Sequence, residues 1–211
     1  MKVLGLLSRK GGSGKTTLAV HLAVLAQEAD LRTLLIDLDP QRSAAAWWRA
    51  RDSDTPQLVE TDADKLSGIL VAARADGVGL VVIDTRPSVE ADAVQVAALS
   101  DLVLIPTRPA ILDLRAILAT LDVVKGSARR AAIVLNACQP ARGVGEGSGT
   151  ADTRRALKAF GVPVAPITIT QRAAFSNALV TGRTVSETEA KSKAAGEMRA
   201  LSRFVEKELA R

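Results

Sequence analysis

Cysteine, histidine and aromatic residues are scarce in this chain. Cys138 is its one cysteine, so it has no partner for an intramolecular disulfide and cannot build a cysteine cage for zinc or an iron–sulfur cluster. Aromatic residues make up 2% of the 211, too few for the stacking platforms on which single-stranded nucleic acid lies. The first apolar run is short and ends at the charged pair Arg9 and Lys10. Neither a signal peptide nor a membrane span is therefore expected there, and a cytoplasmic location is the consistent expectation. His21 is the lone histidine; it falls within the first expected helix and reads as structural.

Hydrophobic residues at 47% and charged residues at 24% can build an ordinary buried core. The net charge of +5 is unevenly placed. Residues 1–125 carry 14 Lys and Arg against 16 Asp and Glu, whereas residues 126–211 carry 14 against 7. A basic C-terminal part suits either a polyanionic partner or a solvated surface.

Short apolar runs alternate with helix-period segments: Lys2 to Leu7, Thr33 to Ile36, Gly79 to Ile83, Leu102 to Ile105, Ala131 to Leu135 and Val162 to Ile167. They lack period-2 alternation and so read as strands covered on both faces, as in a doubly wound, mostly parallel α/β sheet. Helices are expected between them at Lys15 to Glu28, Ser43 to Arg51, Asp64 to Ala75, Val89 to Ala98, Ile111 to Lys125 and near Ala151 to Phe160. Arg172 to Thr181 and Ala190 to Ala210 close the chain. Gln139 to Thr150 reads as a loop. No repeat or linker interrupts residues 1–211, which are expected to form a single domain.

Directly after the first strand comes Lys10-Gly11-Gly12-Ser13-Gly14-Lys15-Thr16-Thr17. The three glycines let the backbone curl until successive N–H groups face inward, and the helix that follows adds its positive end. Lys15 can reach the β and γ phosphates, Thr16 is placed to ligate Mg²⁺, and Thr17 to contact the α phosphate. Asp37 and Asp39 in Asp37-Leu38-Asp39-Pro40-Gln41 fall on one side of a strand end. Val81-Val82-Ile83-Asp84-Thr85 is a buried strand ending in an acid, the Walker B pattern that keeps Mg²⁺ oriented.

Arg9 stands where the general GxxxxGK[ST] loop has its first glycine, and Lys10 adds a second lysine. This KGGxGK[ST] form resembles the deviant Walker A motif of the ParA/MinD family of P-loop ATPases. The DxDPQ segment and Ser100-Asp101-Leu102-Val103-Leu104-Ile105-Pro106 followed by Asp113-Leu114 are similar to family segments, with Ala110 in place of a serine and Arg86 where relatives often have a small residue or proline. Pro166-Ile167 to Arg172 and then Ala178, and Lys193 to Glu197, also resemble stretches of small, ParF-like members. At this length, the N-terminal DNA-reading extension of the larger plasmid type is not expected.

The resemblance implies an ATP- and Mg²⁺-dependent dimerising switch that partitions or positions plasmid DNA, chromosomal DNA or a protein cargo. Lys10 would reach the nucleotide of the other subunit, Asp39 would position the attacking water, and Asp37 would help hold the metal shell. Asn136 sits where some relatives contact adenine; an ordinary loop-capping role fits it equally. Implied partners are a second copy with ATP, non-specific duplex DNA of the nucleoid, and a stimulating, ParB-like or cargo-specific adaptor. Arg172, Lys191, Lys193, Arg199 and Arg203 are the candidate phosphate contacts. The alternative is a MinD-like membrane-associated positioning ATPase, because Leu201, Phe204, Val205 and Leu209 share a helical face that suits a membrane surface or a core. Stable membrane insertion is not expected. A redox relative such as the nitrogenase iron protein lacks its cluster ligands here. Trp47 and Trp48, being adjacent, either split between core and surface or lie on a helix wedged between two layers.

Overall fold

Seven parallel strands form one sheet in the order β3-β2-β4-β1-β5-β6-β7. The structure is a computed structural model that describes residues 1–87, 90–127, 129–141 and 145–211, with backbone alone for 111–116. The strands are β1 (Lys2–Leu6), β2 (Thr33–Asp37), β3 (Gln57–Glu60), β4 (Leu80–Asp84), β5 (Leu102–Thr107), β6 (Ala131–Cys138) and β7 (Val164–Thr170). The helices are α1 (Lys15–Glu28), α2 (Ser43–Arg49), α3 (Leu66–Ala75), α4 (Glu90–Leu99), α5 (Ile111–Gly126), α6 (Ser148–Lys158), α7 (Ala173–Val180), α8 (Val185–Thr188) and α9 (Lys193–Ala210). Three expectations touch undescribed residues: the helix start at Val89, the loop over 142–144, and the side chains of Asp113 and Leu114.

The continuous apolar runs have the cause inferred for them. Every residue of β2, β4 and β5 is buried, because alternate side chains feed two separate cores. On one face Leu4, Leu35, Val82 and Leu104 pack with α1, α2 and α7 to α9. On the other Val3, Ile36, Ile83 and Ile105 pack with α3 to α6. Central β1 lies between β4 and β5, so the carboxyl ends of β2, β4, β1, β5 and β6 stand in a row, the usual ligand-binding rim of such a sheet.

The face of α9 that suited either a membrane or a core belongs to the core. Leu201, Val205 and Leu209 are buried against the sheet and α1, and Phe204 packs on the same cluster. Burying each of the three contributes about 1.5–3 kcal/mol, which docking on a lipid surface would forfeit. Among the described residues no helix is long and apolar enough to cross a membrane. Both tryptophans pack on the same core cluster, one buried and one partly so. Trp47 is buried and donates its indole N–H to the Arg183 carbonyl at 3.1 Å, while partly buried Trp48 donates to the Pro56 carbonyl at 2.8 Å.

Candidate nucleotide and metal site

The loop from Ser8 to Gly14 joins β1 to α1 and needs its glycines. Gly14 adopts φ +93° as the N-cap of α1, and Gly12 adopts φ +71°, both in the left-handed region that other residues enter at a cost. A Cβ on Gly14 would lie 2.1 Å from Asn136 Nδ2. That approach is used: Asn136 Nδ2 donates to the Ser13 carbonyl at 2.7 Å. Arg108, at the end of β5, donates to the Gly12 carbonyl. Two side chains from the ends of β5 and β6 thus hold carbonyls of the loop, while the Arg9 N–H donates to the Thr120 hydroxyl and the Lys10 N–H to the Ser8 hydroxyl.

Lys15 is the first residue of α1 and is buried, with Nζ 3.4 Å from the Ser8 carbonyl. Burial pushes its pKa below the ordinary lysine value, against the attraction of Asp84 and Asp39. Such an ammonium gains from an arriving phosphate, which restores the counter-charge that burial removes.

The carboxylates are aligned by strand register. Asp84 pairs with Leu6 of β1 on one side and with Asp37 of β2 on the other. The Thr16 hydroxyl donates to Asp84 Oδ2 at 2.6 Å, while the buried Oδ1 has no hydrogen-bond partner. Burial raises the Asp84 pKa to about 7; the Thr16 hydrogen bond opposes the shift, and the charge of Asp37 adds to it. An orphaned, fully buried carboxylate oxygen beside a threonine hydroxyl suits a hard divalent cation. Among the described residues no three His, Cys, Asp or Glu side chains gather to hold a metal. A Mg²⁺ ion here would rest on Thr16, Asp84, water and substrate phosphates, its usual manner of binding.

Asp37, for which the family resemblance implied a place in the metal shell, ends β2 and shapes the turn that follows it. Its Oδ1 accepts the Asp39 N–H and its Oδ2 the Ala45 N–H, both at 3.0 Å. Both oxygens are committed to backbone donors that shape the turn into α2, and burial raises its pKa. Asp39 itself is only partly buried, accepts the Gln41 N–H through Oδ1 at 2.9 Å, and lines an open cleft of about 430 Å³. Gly12, Gly14, Lys15, Thr16 and Thr17 line the same cleft, as do Arg86 and Pro87. Lys10 and Gly11 are exposed at the outer side of the loop, whereas Ser13 is buried with its hydroxyl oxygen unpartnered.

The candidate DNA contacts divide. Arg172 is ion-paired with Glu197 at 2.7 Å, and Glu197 also accepts from the Thr170 N–H and hydroxyl. Arg172 thereby links the segment just after β7 to the N-terminal part of α9. Lys191, Lys193 and Arg203 are exposed and Arg199 is partly so. Arg199 and Arg203 stand four residues apart on one face of α9, and exposed Lys207 extends the row. Lys207, Arg108 and the phosphate-loop role of Asn136 were missed in the sequence. The i, i+4 spacing could have found the first.

Comparison with known proteins places this geometry. The chain is 34% identical, over 200 residues, to the maintenance of carboxysome distribution protein A of Gloeobacter kilaueensis, covering 90% of this chain and 87% of that one. It superposes on the cell division ATPase MinD of Pyrococcus furiosus with a TM-score of 0.78 at 19% identity, covering 98% of each chain. On an ATP complex of McdA from Cyanothece the TM-score is 0.77 at 18% identity, covering 100% of this chain and 96% of that one. The family model for the CobQ/CobB/MinD/ParA nucleotide binding domain matches residues 4–185, and the chain belongs to that family.

Proposed function

We propose that the protein is a Mg²⁺- and ATP-dependent dimerising switch that positions a cargo and releases it after partner-stimulated hydrolysis. One observation carries the reading: a glycine cradle holds a half-dehydrated Lys15 next to a Thr16–Asp84 pair whose second carboxylate oxygen is unpartnered, with Asp39 on the rim of the same cleft. Lys15 and the loop N–H groups bind the β and γ phosphates, and Thr17 faces the α phosphate. Mg²⁺, when bound beside Thr16 and Asp84, neutralises charge on the phosphoryl oxygens. Asp39, held in place through Asp37, orients the water for attack on the terminal phosphate. Exposed Lys10 adds a second ammonium to the site of a partner subunit, stabilising charge that builds in the transition state.

The cargo is a protein assembly or DNA. The carboxysome-distribution relative favours an assembly, and the matrix on either reading is nucleoid DNA, gripped through phosphates by an adaptor-regulated dimer. The row Lys193, Arg199, Arg203 and Lys207 on α9, with Lys191 before it, is the surface offered to the duplex. A salt titration of duplex DNA binding in ADP, in ATP, and with Lys10→Ala in ATP tests the switch. Tight, steeply salt-dependent binding is expected only for the wild-type protein in ATP. Equal affinity in all three overturns it.

A further inference from the structure

We infer that Arg86 discriminates ATP from ADP by leaving its ion pair with Asp92 to engage the terminal phosphate. The inference rests on the nucleotide-binding reading above. Arg86 lies two residues beyond Asp84, the residue at the end of β4 that accepts the Thr16 hydroxyl. With Pro87 it lines the cleft shared by Lys15, Thr16 and Asp39. It also lines a small hole of about 20 Å³ behind the cleft, together with Glu90, Asp92 and Thr120. Arg86 therefore borders two places, a small closed one that holds its acid and an open one shared with the phosphate-loop residues.

The present pairing is an exchangeable one. Arg86 Nε and Nη2 both converge on the same oxygen, Asp92 Oδ2, at 2.7 Å. Two donors sharing one oxygen lack the parallel, two-oxygen geometry of the strongest arginine pairs, which a phosphoryl group can supply. The Arg86 side chain keeps 35% of its surface exposed against 20% for Asp92, so the arginine, not the acid, is the member open to the cleft. Asp92 lies in the first turn of α4, where the positive end of the helix stabilises a carboxylate left alone. Releasing Arg86 therefore costs less than breaking an ion pair elsewhere. ADP, without the terminal phosphate, offers nothing to draw the arginine across.

Calorimetric titration with ADP and with the non-hydrolysable analogue AMPPNP, each with Mg²⁺, reads the ratio of the two affinities. Arg86→Ala is expected to weaken AMPPNP roughly tenfold with ADP unchanged, the scale of one charged phosphate contact. Arg86→Lys is expected to retain part of the ratio. Asp92→Ala, which removes the competitor, is expected to raise the preference for AMPPNP. Retained ADP binding shows that each variant is folded. Equal loss of both ligands in Arg86→Ala, an unchanged ratio, or a lowered ratio in Asp92→Ala overturns the inference. Unweakened binding in Lys15→Ala would instead overturn the nucleotide site itself.

Discussion

His21 ties the stability of the fold to pH, and the size of the effect follows from its contacts. The ring is 1% exposed, with Nδ1 2.7 Å from the Thr17 carbonyl and Nε2 accepting the Val185 N–H at 3.2 Å. Phe175 packs edge-on against it at 5.3 Å. Both hydrogen bonds require the neutral Nδ1–H tautomer, since a proton on Nε2 would point at the Val185 N–H. Burial accordingly lowers the pKa to about 4, against the Thr17 carbonyl and the charge of Glu187. The unfolded chain takes up a proton near pH 6.5 while the folded chain does so near 4. Stability is thus fully present above 6.5 and declines as pH falls from 6.5 towards 4. The slope approaches about 1.4 kcal/mol per pH unit, and the loss is about 2 kcal/mol at pH 5. Urea unfolding of the wild type and of His21→Gln at pH 7 and pH 5 isolates this contribution, because the carboxylates titrate in both. The wild type should lose about 2 kcal/mol more than the variant between the two pH values. Equal losses would refute the neutral-imidazole account and the tautomer drawn from it.

Two further substitutions probe the site. Gly14→Ala forces a side chain into the left-handed region and against Asn136; it should lower stability by about 1–3 kcal/mol and abolish nucleotide binding, read by thermal melting and by titration with a fluorescent ATP analogue. Asp39→Ala should bind ATP as the parent does but release phosphate about a hundredfold more slowly, since a water-positioning carboxylate acts on the transition state.

The chemistry of this chain is easier to read from its sequence than its supports are. The phosphate loop, Asp39 and Asp84 follow or end buried strands whose continuous Val, Leu and Ile runs stand out in the sequence, and the order of the three motifs made each readable beside the others. β3 was missed because it is an edge strand of four residues with half-exposed side chains, and so carries neither a long apolar run nor a clean alternation. α8 was missed because it is a single turn made by a local device, in which the Thr184 backbone N–H and hydroxyl both donate to the Glu187 carboxylate. Asn136 and Arg108 act across strands adjacent in space and distant in sequence, and no spacing rule links them to the loop. The shift of register between β6 and β7 around Asn136, with Ala137 at φ +50°, is a bulge that re-aims a side chain at a functional rim. A similar long-range contact pairs Arg172 with Glu197 of α9, 25 residues on, and no spacing rule links the two.

ATP, and not ADP, is expected to join two copies of this chain through the phosphate loop. Sedimentation velocity with Mg²⁺ measures it directly on the wild type with ADP, on Asp39→Ala with ATP, and on Lys10→Ala with ATP. The account predicts a dimer for Asp39→Ala with ATP and monomers for the other two. The same mass in all three would contradict it.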